Sequence, residues 1–188
     1  MIHDAGLAHY GLSASDFASV SRQTLPVAER LSVFAESGGA VDLSPRPPQG
    51  RSIGTCRDYA LLMTGFLREH GIEARVRCGF ASYFAPGRWE DHWICEYRLP
   101  GEEAWRMADA QMDGVHREVY AIDFEPQNLP DGAFCSAGRI WSDFRAGRLD
   151  PETCGAGERT GTWIMAVDVA RDYLALCGQE VSPWDGWR

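Results

Sequence analysis

Three residue types that together support nucleophilic catalysis occur in order along the chain. Cys56 stands at the start of a strongly helical stretch, His92 opens a stretch with strand character, and Asp109 lies in the next such stretch. A thiolate nucleophile needs an acid/base within hydrogen-bonding reach, and that base needs an orienting group. The three residues therefore predict acyl transfer through a covalent intermediate on sulfur.

The residues around Cys56 predict the start of a helix. Thr55 suits the N-cap position, and Asp58 can accept a hydrogen bond from the Thr55 N–H in a capping box. Unpaired backbone N–H groups at a helix start favour a thiolate, so we expect an activated cysteine. The alternative is that Cys56 is a small core residue, because its helix face also carries Met63 and Leu67.

A predicted β-hairpin relates His92 to Asp109. Residues 92–99 and 104–111 have strand character, and Pro100 is followed by Gly101 in a turn between them. A hairpin centred on this turn places His92 opposite Asp109 on one face of the sheet. A register shift of two keeps both residues on that face, whereas a shift of one separates them.

Neighbouring residues offer alternatives for these roles. Asp91 is a poor substitute for the carboxylate, because adjacent strand residues face opposite ways. Asp113 is the second choice for the carboxylate, and His116 is the second choice for the base. His92 and Cys95 have a ligand-like spacing, but no second pair completes a tetrahedral zinc site, so we expect no metal.

Further residues are candidates for binding the substrate. Trp89, Trp93 and Tyr83 lie near His92 in the sequence and could line an acyl groove, although core packing explains aromatic residues there equally well. The backbone N–H of Cys56 can donate to the oxyanion of a tetrahedral intermediate. Gln49, in the preceding loop, is our candidate for the second donor.

The remaining pattern predicts an α+β fold in one domain, residues 1–188. Residues 1–43 form a helical N-terminal segment, with a helix that starts near Thr24. Residues 52–113 form the catalytic core, in which the helix 55–70 packs on a small antiparallel sheet. Residues 130–188 form a helical C-terminal segment with helices at 134–145 and 162–177.

Composition narrows the function classes. The 188 residues carry a net charge of −9, which disfavours nucleic acid and anionic lipid as partners. There is no lysine, so Schiff-base chemistry is excluded. No apolar run is long enough for a membrane span and no export signal is recognisable, so we expect a cytoplasmic protein with six reduced cysteines. Arg75 and Arg77 are expected to pair with carboxylates.

Two segments, GTCRDYALLMTGFLREHGIEARVRCGF and DHWICEYRLPGEEAWRMADAQMD, resemble the transglutaminase-like superfamily, in particular its small bacterial members. The resemblance implies a papain-like α+β fold and a Cys-His-Asp triad at Cys56, His92 and Asp109. Relatives include amide crosslinkers, peptidases, amidases, deglycosylating enzymes and condensation catalysts. Animal members have a tryptophan before the cysteine and bind calcium, whereas this chain has no tryptophan before Trp89 and no recognisable calcium site.

The function expected from these observations is acyl transfer or hydrolysis at an amide, ester or thioester carbonyl, without a cofactor. The substrate would be an acyl group on a small molecule, a peptide or a carrier protein. An amine acceptor would give amide-bond formation, as in small-molecule biosynthesis, and water would give a peptidase or amidase. The alternatives from other classes are a non-catalytic binding module and a metal-dependent hydrolase.

Overall fold

The computed structural model describes residues 1–17, 27–35, 44 and 46–184. The helices are α1 (Val27–Ala35), α2 (Cys56–Glu69), α3 (Gly114–Val119), α4 (Ala137–Arg145) and α5 (Thr162–Leu176). The strands are β1 (Ile2–His3), β2 (Ile53–Gly54), β3 (Glu73–Ala81), β4 (Trp89–Arg98), β5 (Arg106–Ala108), β6 (Phe134–Ser136), β7 (Cys154–Ala156) and β8 (Arg159–Thr160). Short 3-10 turns span Asp4–Tyr10, Ala14–Phe17, Pro48–Gly50 and Pro151–Thr153.

The main sheet has the strand order β6-β3-β4-β7-β8, and β5 pairs with β4. Its centre is the antiparallel pair of β3 and β4, which runs from Glu73 opposite Arg98 to Ala81 opposite Glu90. Strand β7 is parallel to β4, and the other pairings in this sheet are antiparallel. Helices α2 and α5 both pack against β3. The predicted α+β class with a mainly antiparallel sheet is confirmed.

Helix α2 begins and ends where its sequence predicts. The Thr55 N–H donates to Asp58 Oδ2 over 2.8 Å, which is the predicted half of the capping box. Gly71 follows the helix with φ 73°, a conformation that stops the helix and that glycine adopts without a Cβ clash. Ala60 and Thr64 on the inner face are buried, so packing on the sheet fixes the direction of the helix.

The described part of the N-terminal segment contains two 3-10 turns and helix α1, and it also contains the short strand β1. Strand β1 pairs in parallel with β2, so Ile2 lies beside Ile53 directly before the cysteine helix. Leu7 and Phe17 pack in the same apolar cluster. The described part of the expected helix is α1, and its predicted start at Thr24 lies outside the described residues.

The C-terminal segment contains helices α4 and α5 and also the short strands β6, β7 and β8. The first three residues of the predicted helix 134–145 form β6, so that helix begins at Ala137. Residues 162–176 form α5, one residue shorter than predicted. Within the described ranges, each helix is too short or too polar to cross a lipid bilayer.

A buried ion network joins α5 to the sheet. Arg77 donates from Nε to Asp172 Oδ1 and from Nη1 to Glu96 Oε1, each over 2.8 Å. Arg75 donates to the other oxygen of Glu96 over 2.7 Å, and the Cys78 N–H donates to Asp172 over 3.0 Å. The expected pairing of both arginines with carboxylates is confirmed.

Removing one member of this network should destabilise the fold. We expect Asp172→Ala to lower the free energy of unfolding by about 3 to 5 kcal/mol, because it removes a buried carboxylate that pairs with Arg77, whose side chain is only 12% exposed. Urea denaturation measures the change. The matched control is Glu102→Ala, which breaks the more exposed Arg106 pair and should change stability by about 0 to 1 kcal/mol. Equal effects of the two variants would contradict a structural role of the network.

Candidate active site

Cys56 is the first residue of α2 and is partly exposed. Its side chain packs against an apolar cluster that contains Ala60, Cys78 and Trp93. Helix geometry leaves the first N–H groups of α2 without partners inside the helix, so they point toward the region in front of Cys56. A group held there faces both the sulfur and the positive end of the helix dipole.

His92 on β4 and Asp109 after β5 form a buried pair. His92 Nε2 lies 2.7 Å from Asp109 Oδ2, and the two residues are 3% and 2% exposed. The thiol of Cys56 is within hydrogen-bonding reach of the imidazole. Because Nε2 is engaged by the carboxylate, Nδ1 is the ring nitrogen available to the sulfur. The structure thus brings the three sequence-predicted residues together.

The hairpin register is two residues away from the predicted one. Tyr97 pairs with Arg106, where the sequence predicted Ala104. The turn occurs at the expected place, since the Glu102 N–H donates to Leu99 O, but the second arm joins the ladder two residues later. The intervening Trp105 instead stacks under the guanidinium groups of Arg75 and Arg98.

Asp109 remains on the His92 face despite this shift, because a shift of two preserves the alternation of side chains. The chain also leaves the ladder at this point: β5 ends at Ala108, and the Asp109 N–H donates to Pro126 O over 2.8 Å. Asp109 is therefore diagonal to His92, not directly opposite it. The side chains still meet, because the strand end turns the carboxylate toward the ring.

The Asp109 carboxylate is held by three donors. Besides His92, the Tyr83 hydroxyl donates to Oδ2 over 2.6 Å and the Gln111 N–H donates to Oδ1 over 2.9 Å. Burial raises the pKa of Asp109, but the His92 charge and these hydrogen bonds outweigh burial and lower it below its ordinary value. The carboxylate is consequently ionised at neutral pH.

Burial alone would lower the pKa of His92, but the Asp109 charge and hydrogen bond, together with Cys56, raise it to about 10. Both ring nitrogens are consequently protonated at neutral pH, and the ring is positively charged. Phe84 packs edge-on against it with ring centroids 4.8 Å apart, which limits water on that side. Asp109 therefore fixes both the charge and the orientation of the imidazole.

The pKa of Cys56 departs from the expectation of an acidic thiol. Burial raises it, while the hydrogen bond and charge of His92 and the Trp93 backbone act in the opposite direction. The helix start does not by itself activate this cysteine, because the site is more buried than a surface helix end. Activation of the thiol depends on His92.

The predicted substrate-binding residues have different surroundings from those expected. Trp93 is 2% exposed and packs in the core, and Trp89 packs against the cluster of Phe80 and Ile140, so core packing replaces the groove role for both indoles. Tyr83 contacts Asp109, so the structure gives it an orienting position. Gln49 lies exposed in the turn Pro48–Gly50, and its role as an oxyanion donor stays a prediction.

The two fallback residues form a cluster of their own. Asp113 caps α3 and lies 2.9 Å from His116 Nδ1, and the Tyr10 hydroxyl donates to Asp113 over 2.6 Å. This cluster ties the N-terminal turn to α3. Asp113 does not take the place of Asp109 in the buried pair, and His116 does not take the place of His92.

One group among the described residues has the composition of a metal site. Ligand atoms of Cys78, Asp91 and Asp168 lie within 4.8 Å of one another. Arg171 Nη1 lies 2.8 Å from Asp168 and 3.6 Å from Asp91, so a guanidinium already supplies positive charge there. Burial raises the pKa of Asp91 to about 6. We assign this group to the packing of α5 on β4.

Sequence reasoning missed two residues that act on Asp109. The sequence predicts that Tyr83 lines an acyl groove, and it indicates no role for Gln111. The Gln111 N–H bonds to a side chain two residues earlier, which is an Asx turn and could have been predicted from Asp109 alone. Tyr83 reaches Asp109 across 26 residues of sequence, and no local pattern indicates that contact.

The raised pKa of His92 predicts a pH-dependent stability. Because the folded value of about 10 exceeds the ordinary 6.5, His92 contributes stability that is fully present below pH 6.5 and is lost as the pH rises toward 10. The free energy of unfolding should therefore fall more steeply over this range in the wild type than in His92→Gln. The matched control is the exposed His9, where His9→Gln should follow the wild type. Parallel curves for wild type and His92→Gln would contradict the pairing.

Comparison with known proteins identifies the core of the chain. Residues 30–110 match the family model of the transglutaminase-like superfamily. Comparisons with curated proteins and with solved structures gave no match. The matched segment holds the cysteine helix, the central pair of strands and the carboxylate that meets His92. Residues 30–110, which are fewer than half of the chain, are therefore similar to the transglutaminase-like superfamily.

Proposed function

We propose that the protein is a cysteine-dependent acyltransferase or hydrolase with Cys56 as nucleophile, His92 as acid/base and Asp109 as orienting carboxylate. The observation that supports this most strongly is the buried pair of His92 and Asp109, which lies close enough to Cys56 for the imidazole to act on the pKa of the thiol. The family supports a cysteine-dependent enzyme in general terms. A binding module has no need for a buried charged pair behind a partly exposed thiol.

The charges define the proton movements. His92 is positively charged at neutral pH, so the thiol proton of Cys56 passes to solvent, and the imidazolium stabilises the thiolate that remains. The thiolate attacks a carbonyl carbon, and the Cys56 N–H donates to the oxyanion. His92 gives its proton to the leaving nitrogen, oxygen or sulfur, and the acyl group remains on the sulfur as a thioester.

The second half of the reaction uses the same groups in reverse. His92, now neutral, accepts a proton from the attacking amine or water, and the Cys56 thiolate leaves. An amine gives an amide, and water gives a carboxylic acid. The substrate proposed is an acyl group on a small molecule, a peptide or a carrier protein.

The first test is the dependence of thiol reactivity on His92. At pH 7.5, His92→Gln should slow alkylation of Cys56 by iodoacetamide at least tenfold, because the imidazole lowers a pKa that burial raises. Peptide mass spectrometry measures labelling at each cysteine. The exposed Cys177 is the internal control and should react equally in both proteins.

Intact-mass spectrometry with candidate amides, esters and thioesters then identifies the acyl donor. An adduct should form on the wild type and on Cys177→Ala, but not on Cys56→Ala. The enzymatic proposal would be refuted if Cys56 were alkylated at the same rate in the wild type and in His92→Gln and no activated ester gave an adduct.

Tyr83 is proposed as a positioning residue that acts through Asp109. Tyr83→Phe should slow acylation of Cys56 about tenfold, because it removes a hydrogen bond to a buried carboxylate. That bond lowers the pKa of Asp109, so its loss should also move the acid limb of the pH–rate profile to higher pH. Tyr97→Phe, whose hydroxyl donates to Gln127 O, is the control. An unshifted acid limb would refute the assignment.

A further inference from the structure

A cavity of about 680 Å³ lies along α2. Its apolar wall is formed by Leu31, Tyr59, Leu62, Met63, Phe66 and Ile72. This volume lies within the range of small-molecule sites, which are mostly apolar with a few polar groups that orient the ligand. We call it the α2 cavity.

Part of the wall of the α2 cavity lies on the side of the helix that carries the candidate nucleophile. Helix geometry places Met63 and Leu67, which both line the cavity, within about 20° of Cys56 around the helix axis. Met63 is also about 10 Å further along that axis. A ligand attached to the sulfur could therefore extend along α2 into the cavity.

Two buried polar atoms in this wall lack partners. Among the described residues, Gln111 Oε1 and Ser52 Oγ have no hydrogen-bond partner, and both residues line the cavity. Gln111 is 6% exposed. An unsatisfied buried polar atom is unfavourable, so a ligand that donates a hydrogen bond to Gln111 Oε1 would be stabilised there.

The same residue connects the cavity to the triad. The backbone N–H of Gln111 donates to Asp109 Oδ1, so the turn that orients the carboxylate also places the Gln111 side chain in the cavity wall. Tyr59, one turn after Cys56, is close enough for the Asp109 charge to affect its pKa. Gln111 and Tyr59 line the cavity, and each lies within three residues of a member of the triad.

We propose that the α2 cavity binds the apolar part of the acyl group that Cys56 accepts, and that an N–H of this acyl group donates to Gln111 Oε1. This proposal rests on the proposed function and names its substrate class: acyl groups with an aliphatic or aromatic chain and an amide near the carbonyl.

The test uses p-nitrophenyl esters of acetate, butyrate, hexanoate and octanoate. The Cys56 thiolate bonds to the acyl carbon, the bond to p-nitrophenolate breaks, and the phenolate leaves with the electron pair. In the wild type, kcat/KM should rise by up to about fourfold per added methylene, as expected for burial of apolar surface. A flat series would overturn the proposal.

Filling the cavity should abolish this dependence. Met63→Trp should flatten the chain-length series, and Glu69→Trp, an exposed change on the same helix outside the cavity, should not. Phe66→Trp is a second filling variant at a position that is 42% exposed and tolerates a larger ring. Retention of the full series in a folded filling variant would contradict the proposal.

The Gln111 contact has its own matched probes. The wild type should prefer the p-nitrophenyl ester of N-octanoylglycine over that of N-octanoylsarcosine about tenfold, because N-methylation removes the donor. Gln111→Met should lose this preference while keeping the chain-length series. An unchanged preference in Gln111→Met would refute the assigned hydrogen bond.

Iodoacetamide labelling separates this proposal from the function on which it rests. A protein whose Cys56 reacts in a His92-dependent way but shows no chain-length dependence contradicts only the α2 cavity as acyl site. A protein in which Cys56 labelling is independent of His92, and which esters do not acylate, contradicts the proposed function itself.

Discussion

The buried ion pair between His92 and Asp109 is the constraint on which the rest of the site depends. A carboxylate that is 2% exposed is tolerated because three donors and a positive charge surround it. Each donor comes from a different part of the chain: the long strand β4, the loop after β3, and the Asx turn after β5. The pair therefore requires the hairpin, the loop and the turn to fold together.

This pair also determines what Cys56 can do. Burial disfavours a thiolate, so the capped helix start is insufficient and the imidazolium must supply the compensating charge. The fold provides it by packing α2 on β3 and β4, which sets the first residue of the helix against the ring. The network of Arg77, Glu96 and Asp172 holds α5 on the same sheet. The His92 ring instead faces α2 and the loop after β3.

Local sequence was sufficient for the parts of the site that local physics controls. Thr55, Asp58 and Gly71 define the ends of α2, because capping and a positive φ act within a few residues. Alternation along β4 was sufficient to separate the face of His92 from that of Asp91. The transglutaminase-like resemblance covered this same region, and the family match agrees with it.

Features that depend on distant contacts were not predictable in this way. The hairpin register follows from the stacking of Trp105 under Arg75 and Arg98. Arg75 lies on β3, outside the hairpin. The pairing of Ile2 with Ile53 joins two strands of two residues each, too short to give a periodic pattern. Tyr83 and the aromatic residues near His92 could not be divided between core and site, because both environments favour the same residue types.

The most direct measurement of the central contact is NMR titration of the histidines in protein labelled with ¹⁵N at the imidazole. We expect one ring, absent from the spectrum of His92→Gln, that keeps both nitrogens protonated at pH 8 and titrates near pH 10. A His92 ring that is neutral at pH 8 and titrates near its ordinary value of 6.5 would show that Asp109 does not hold the charge on which the site depends.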